Sequence, residues 1–125
     1  MKIKIPTFAA VVVFALIWLL FGINHLVNAG TMAPMVSTMP GGIFWIYFTG
    51  ACMILAGISI IAGKWTRPAC YLLALMLLVF IAAIHVPAMI KGDMFAPASI
   101  LKDLGLAAGA VITGNVRGHI KQLGQ

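Results

Sequence analysis

The sequence predicts an all-α protein: a transmembrane four-helix bundle with both termini in the cytoplasm. Three observations predict it. The 125 residues are 63% hydrophobic and 8% charged, with mean hydropathy +1.14. A soluble domain of this length cannot bury that much apolar surface, so the solvent must be lipid. Four apolar runs of spanning length, at about 1.5 Å rise per residue across a core of roughly 30 Å, are separated by loops holding proline, glycine or charge. The charge is uneven: Lys2, Lys4, Lys64, Arg67, Arg117 and Lys121 flank one side, Lys91 and Lys102 the other. By the positive-inside rule the first side is cytoplasmic, which makes the protein a multi-pass chain of the inner membrane. The length suits a single domain, residues 1–125.

The first helix is expected over residues 6–28. Pro6 stands at its start, where a missing N–H costs little. A signal peptide is the competing reading, because Val27-Asn28-Ala29 offers a small-residue cleavage pattern. The apolar core is longer than a typical signal core, which favours a retained span. The segment 30–42, GTMAPMVSTMPGG, has no charge, and its methionines and prolines suggest a lid lying at the membrane interface.

The second helix is expected over 43–63. It opens with Phe44, Trp45 and Tyr47, an aromatic belt at the water boundary. Lipid gives helices no hydrophobic reason to associate, so small residues mark contacts. Thr49, Cys52, Ala56, Ser59 and Gly63 step by three and four along one face. The reading for Cys52 is a small packing residue rather than a reactive thiol.

A basic turn, Lys64-Trp65-Thr66-Arg67, leads to a third helix over 68–90, bracketed by Pro68 and Pro87. On it Ala74, Leu78, Ile81, His85 and Ala88 line up. Pro87 lacks an N–H, so the carbonyl of Ala83 is left as an acceptor for a ring N–H or a water. The fourth helix is expected over 98–116. It is small on two faces, Gly105 with Gly109 (a GxxxG) and Asp103, Ala107, Ala110 and Gly114. A basic tail follows and suits anionic lipid head groups. The two hairpins echo each other, with Phe21 before His25 and Phe80 before His85, each followed by an Ala-Pro loop. Duplication of a two-helix unit would give this.

Composition and motif exclude several classes. The net charge of +6 has a topological explanation in the helix flanks, and no nucleic-acid-binding motif occurs. Cys52 and Cys70 differ in expected depth by roughly 12 Å, beyond the reach of a disulfide. There is no CxxC, GxGxxG, HExxH or P-loop, and no metal site is expected. Broken helices of the transporter type are also lacking.

What remains is one polar cluster. His25, His85, Lys102 and Asp103 fall at one depth toward the outer face, with Asn24 and Asn28 beside them. Intramembrane ionisable groups are costly and usually have a purpose. The functional reading is a pocket under the lid, with histidine exchanging protons and Asp103 fixing a ring tautomer. Such a pocket could take a quinone head group, the one cofactor the residues suggest, or hold a partner's polar side chain. The plainer reading is interfacial placement, with Lys102 snorkelling and Asp103 complementing the helix dipole.

Several stretches together resemble the DoxX-like family of small four-helix membrane proteins. They are Phe21-Gly22-Ile23-Asn24-His25, Thr49-Gly50-Ala51 through Ala56-Gly57, and Gly63-Lys64-Trp65-Thr66-Arg67-Pro68. The run Met76-Leu77-Leu78-Val79-Phe80 to His85 and the fourth helix from Asp103 to Gly114 complete the match, which covers most of the chain. The resemblance implies a four-helix bundle acting as an accessory to membrane or thiosulfate-linked oxidoreductases that pass electrons to quinone, or as an assembly factor. Its partners would be membrane lipid and another membrane protein or a second copy. One departure weakens a catalytic reading. Many members carry a glutamate about three residues after the helix-two glycine, where this chain has Met53.

Overall fold

The computed structural model describes residues 3–123; Lys2 of the expected basic flank lies outside the described residues. The fold is all-α. Four helices are long and apolar enough to cross a membrane: α1 (Thr7–Val27), α2 (Ile43–Ala62), α3 (Thr66–Ile90) and α4 (Ala96–Val116). A 3-10 tail, Arg117–Leu123, continues α4. This architecture is consistent with a multi-span membrane protein.

The helices pack as two antiparallel hairpins, α1 with α2 and α3 with α4, joined along α2 and α3. Glycine sets the spacing of the first hairpin. A Cβ on Gly22 would stand 2.6 Å from the carbonyl oxygen of Gly50, and one on Gly57 would stand 3.0 Å from that of Ala15. The two backbones therefore touch almost directly, which is how helices gain contact when lipid supplies no hydrophobic drive. The second hairpin closes on Gly114, where a Cβ would meet the Cys70 side chain at 2.9 Å. Trp18 is fully buried and edge-on to Phe14 and Phe21, in one core cluster with Met53, Leu73 and Ala110.

The inward faces differ in part from those the small residues suggest. On α2, Thr49 and Ala56 are buried, but Cys52 and Ser59 are half-buried on the flank and Gly63 is exposed past the helix end. Gly50, Met53, Gly57 and Ile60 hold the middle of that face. On α3 the inward residue is Leu77, while Leu78 is 48% exposed. On α4, Asp103, Ala107, Ala110 and Gly114 are buried, Gly109 lies half-buried on Phe14, and Gly105 is exposed.

The α2–α3 turn is three residues long and uses two left-handed conformations, Gly63 at φ 74° and Trp65 at φ 59°. Thr66 Oγ1 donates to Ser59 O (3.1 Å) across it. Arg117 ties the same end together: its Nε donates to Ile60 O (2.8 Å) and its Nη2 to Ile61 O (2.9 Å). These are carbonyls that the end of α2 leaves without helical partners, and a cation there also complements the helix dipole.

At the opposite end, the segment after α1 folds into a short helical turn (Ala29–Met32) and a 3-10 turn (Ala33–Val36). Ala29 and Val36 bury themselves against Ile46 of α2, and Ile84 of α3 packs on that cluster. The uncharged loop thus lies across the end of the bundle as a cap. Phe44 and Phe48 stack on each other with Trp45 edge-on to both, and the Trp45 indole N–H donates to Pro40 O.

Candidate functional site

The capped end of the bundle holds the most buried charged group among the described residues. Asp103 sits on the inward face of α4, two turns after the helix starts, and is 4% exposed. Its position follows from the small-residue face it shares with Ala107, Ala110 and Gly114, which brings α4 close to α3. A carboxylate so placed needs a partner, because burying an unpaired charge is far more costly than burying a paired one.

The partner comes from a break in α3. Between Ile81 and His85 the helix widens into a π turn, and the N–H of Val86 bonds the carbonyl of Ile81, five residues back. Pro87 follows at once. Its ring clashes with the carbonyl four residues earlier in a regular α-helix, and a wider turn relieves that clash. His85 ends the π turn, and its Nε2 donates to Asp103 Oδ2 at 2.9 Å. The ionised carboxylate only accepts, so this bond places the imidazole proton on Nε2 and leaves Nδ1 as the bare nitrogen of a neutral ring. Lys102 Nζ stands 3.8 Å from the other carboxylate oxygen, on a side chain that is 58% exposed.

The other members of the expected cluster are arranged differently. His25 Nδ1 donates to Phe21 O (2.7 Å) within its own helix, and its Cβ lies against Gly50 of α2. No hydrogen bond or ion pair joins it to His85 or Asp103 among the described residues. The bond to Phe21 consumes the Nδ1 proton and leaves Nε2 as an acceptor in the neutral ring. Asn28 Nδ2 donates to Asn24 Oδ1 on the exposed side of α1. His85, Asp103 and Lys102 therefore form one group, while His25, Asn24 and Asn28 are satisfied on α1. The ring N–H of His85 goes to Asp103, not to the carbonyl of Ala83.

The sequence gives no sign of two further features. The π turn has no residue signature beyond Pro87. Trp18 Nε1 is the one buried side-chain polar atom without a hydrogen-bond partner among the described residues. Its aromatic neighbours offer no acceptor oxygen, and an orphaned donor of this kind costs about 1–3 kcal/mol. Cys52 and Cys70 are both free. Among the described residues, no three His, Cys, Asp or Glu side chains are grouped to hold a metal ion.

Chemically, the His85–Asp103 pair can do two things. It can pin α3 to α4 under the cap, and it can present Nδ1 as an acceptor to a ligand's hydroxyl. Comparison with protein families, curated proteins and solved structures found no match for this chain.

Proposed function

We propose that this chain is an accessory subunit or assembly factor of a complex in the cytoplasmic membrane, docking on a neighbouring transmembrane helix through α4. One observation carries the reading. The long helices contain Gly22, Gly50, Gly57, Gly105, Gly109 and Gly114, and a Cβ on every one except Gly105 would fall within 3.2 Å of a neighbouring helix. At Gly105 it would meet nothing within 4 Å. A glycine inside a helix costs about 1 kcal/mol relative to alanine, and here no contact within the protomer offsets it. Leu101 and Ala108 share its exposed face at steps of four and three. In lipid, such a notch is where another helix approaches. The reading agrees with the resemblance to DoxX-like proteins and their accessory roles.

Both termini are assigned to the cytoplasm, since Lys4, Lys64, Arg67, Arg117 and Lys121 gather at one end. The docking test is recovery of the tagged protein from mild detergent with whatever is bound to it. Wild type should carry a stoichiometric membrane partner, or a second copy, and Gly105→Leu should lose it while keeping its helical content. Equal recovery of the partner by both proteins would sink the proposal.

The buried His85–Asp103 pair favours a second reading, a quinone-linked redox component. In their neutral forms both histidines present bare nitrogens, which suits the hydroxyls of a reduced quinone better than the carbonyls of an oxidised one. Lys102 is the nearby donor for a carbonyl. A bound quinone would supply the electron chemistry, and these side chains would orient it and exchange protons. The check is quinone content of the purified protein, which His25→Ala with His85→Ala should abolish; unchanged quinone in that double variant removes the reading.

A further inference from the structure

Among the described residues, the end of the bundle away from the cap carries cations with no acidic side chain among them. The sequence has two acidic side chains, Asp93 and Asp103, and both lie toward the capped end. Lys64, Arg67, Arg117 and Lys121 lie at the other. A hollow of about 590 Å³ opens there, bordered by Gly63, Arg117, Lys121, Gln122 and the ring of Phe8. Arg117 is held rigidly in it. Its Nε and Nη2 are fixed on Ile60 O and Ile61 O, and its guanidinium carbon lies 5.3 Å from the centre of the Phe8 ring. A guanidinium immobilised this way is already ordered for an oxyanion, so less entropy is lost when one arrives.

A second hollow, about 260 Å³ and almost wholly apolar, runs along the seam between α1 and α4. Ala10, Phe14, Gly109, Ile112 and Val116 border it. The two hollows adjoin in the chain. Thr7 of the apolar one precedes Phe8 of the basic one, and Val116 precedes Arg117. The seam is open because α1 and α4 touch far less than the paired helices do, Phe14 against Gly109 being their close contact. From Thr7 to Phe14 the groove descends roughly 10 Å into the hydrocarbon.

We propose that these two hollows form one binding site for an anionic phospholipid, with the phosphate at Arg117 and Lys121 and an acyl chain in the α1–α4 groove. A free phosphate would use only the basic hollow and a neutral lipid only the groove; an anionic lipid uses both. Charge decides the occupant, because a concentration of cations without acidic side chains attracts an anion from the membrane surface.

The test uses the full chain in detergent, incubated with phosphatidylglycerol or with phosphatidylcholine of the same acyl chains, and reads bound lipid by native mass spectrometry. Wild type should retain phosphatidylglycerol in preference. Lys121→Gln should lower its occupancy roughly fivefold, the effect of one cation near an anionic surface. Ala10→Phe, which fills the groove without altering charge, should lower it as well, and inorganic phosphate should fail to displace the lipid. Lys121 and Ala10 are both exposed, so neither change threatens the fold. Equal retention of the two lipids, undiminished binding by Ala10→Phe, or displacement by inorganic phosphate would each overturn the proposal.

Discussion

Replacing His85 by leucine tests whether its bond to Asp103 holds α3 against α4. The substitution keeps an apolar side chain of similar size but removes the donor to a carboxylate that is 4% exposed. Removing the partner of a buried charge costs about 3–5 kcal/mol, because the charge is stranded. Two features place this case near the lower bound. The His85 side chain is 16% exposed, so some water already reaches the pair, and Lys102 Nζ remains 3.8 Å from the carboxylate. We therefore expect a loss of about 3 kcal/mol for His85→Leu. Asp103→Leu should cost less, about 1 kcal/mol, since it strands only a neutral imidazole that can turn to water. The double variant replaces the pair with apolar groups and should lie close to wild type, as such replacements often do. Denaturant unfolding in dodecyl maltoside, followed by circular dichroism, gives all four stabilities. If the two single losses add to the double within about 0.5 kcal/mol, the side chains are uncoupled and the reasoning fails.

Three more outcomes follow from the packing. Gly22→Ala should destabilise the bundle by about 1–3 kcal/mol, since its Cβ would meet a backbone oxygen that cannot move aside, whereas Gly105→Ala should stabilise it by about 1 kcal/mol, because the better helix former meets no neighbour there. Arg117→Ala should cost about 1.5–3 kcal/mol by uncovering the carbonyls of Ile60 and Ile61, and Arg117→Lys should recover only part of it, because one ammonium cannot reproduce the forked pair of bonds; thermal unfolding of both variants checks this. Pro87→Ala restores a backbone N–H and removes the ring clash, so α3 can return to regular α geometry. In that background His85→Leu should cost less than about 1 kcal/mol, measured by the same unfolding cycle.

Much of the architecture is legible in the chain, for reasons that also mark where reading fails. The four apolar runs and their glycine and proline boundaries register directly as helices of spanning length. The Asp103, Ala107, Ala110, Gly114 face of α4 can be read because small residues there contrast with leucine and isoleucine elsewhere. On α3 that contrast is missing. Residues facing lipid are as apolar as those facing the core, so periodicity does not separate Leu77 from Leu78, and no small residue stands between Ala74 and Ala82 to decide it. On α2, Cys52 and Ser59 are small but flank the contact, because Gly50 and Gly57 permit a closer approach and so fix the centre of the face. Gly105 looks like half of an internal packing motif, yet the face it occupies points away from the other three helices.

The π turn accounts for how His85 comes to face Asp103, which the spacing of a regular helix does not explain. On an unbroken α-helix, successive residues turn by 100°, so with Leu77 facing the core Ile84 would lie near the centre of that face. His85 would lie roughly 80° to its flank. A turn that bonds five residues back holds about one residue more than an α turn, so whatever follows it lags by roughly 100°. That lag carries His85 back onto the line of Leu77, where Asp103 waits, and swings Ile84 aside. The contacts agree: Ile84 packs on the cap formed by Ala29, Val36 and Ile46, and His85 bonds to α4. One local widening thus serves two partners, and a regular helix would aim the imidazole away from the carboxylate. The same lag explains why His25 does not join the pair. α1 stays α-helical to Val27 with no proline in it, so His25 keeps the glycine-lined face that Ala15, Trp18 and Gly22 set, and that face belongs to α2. The two histidines look alike in their surrounding residues, but only the one followed by proline is turned toward an acid.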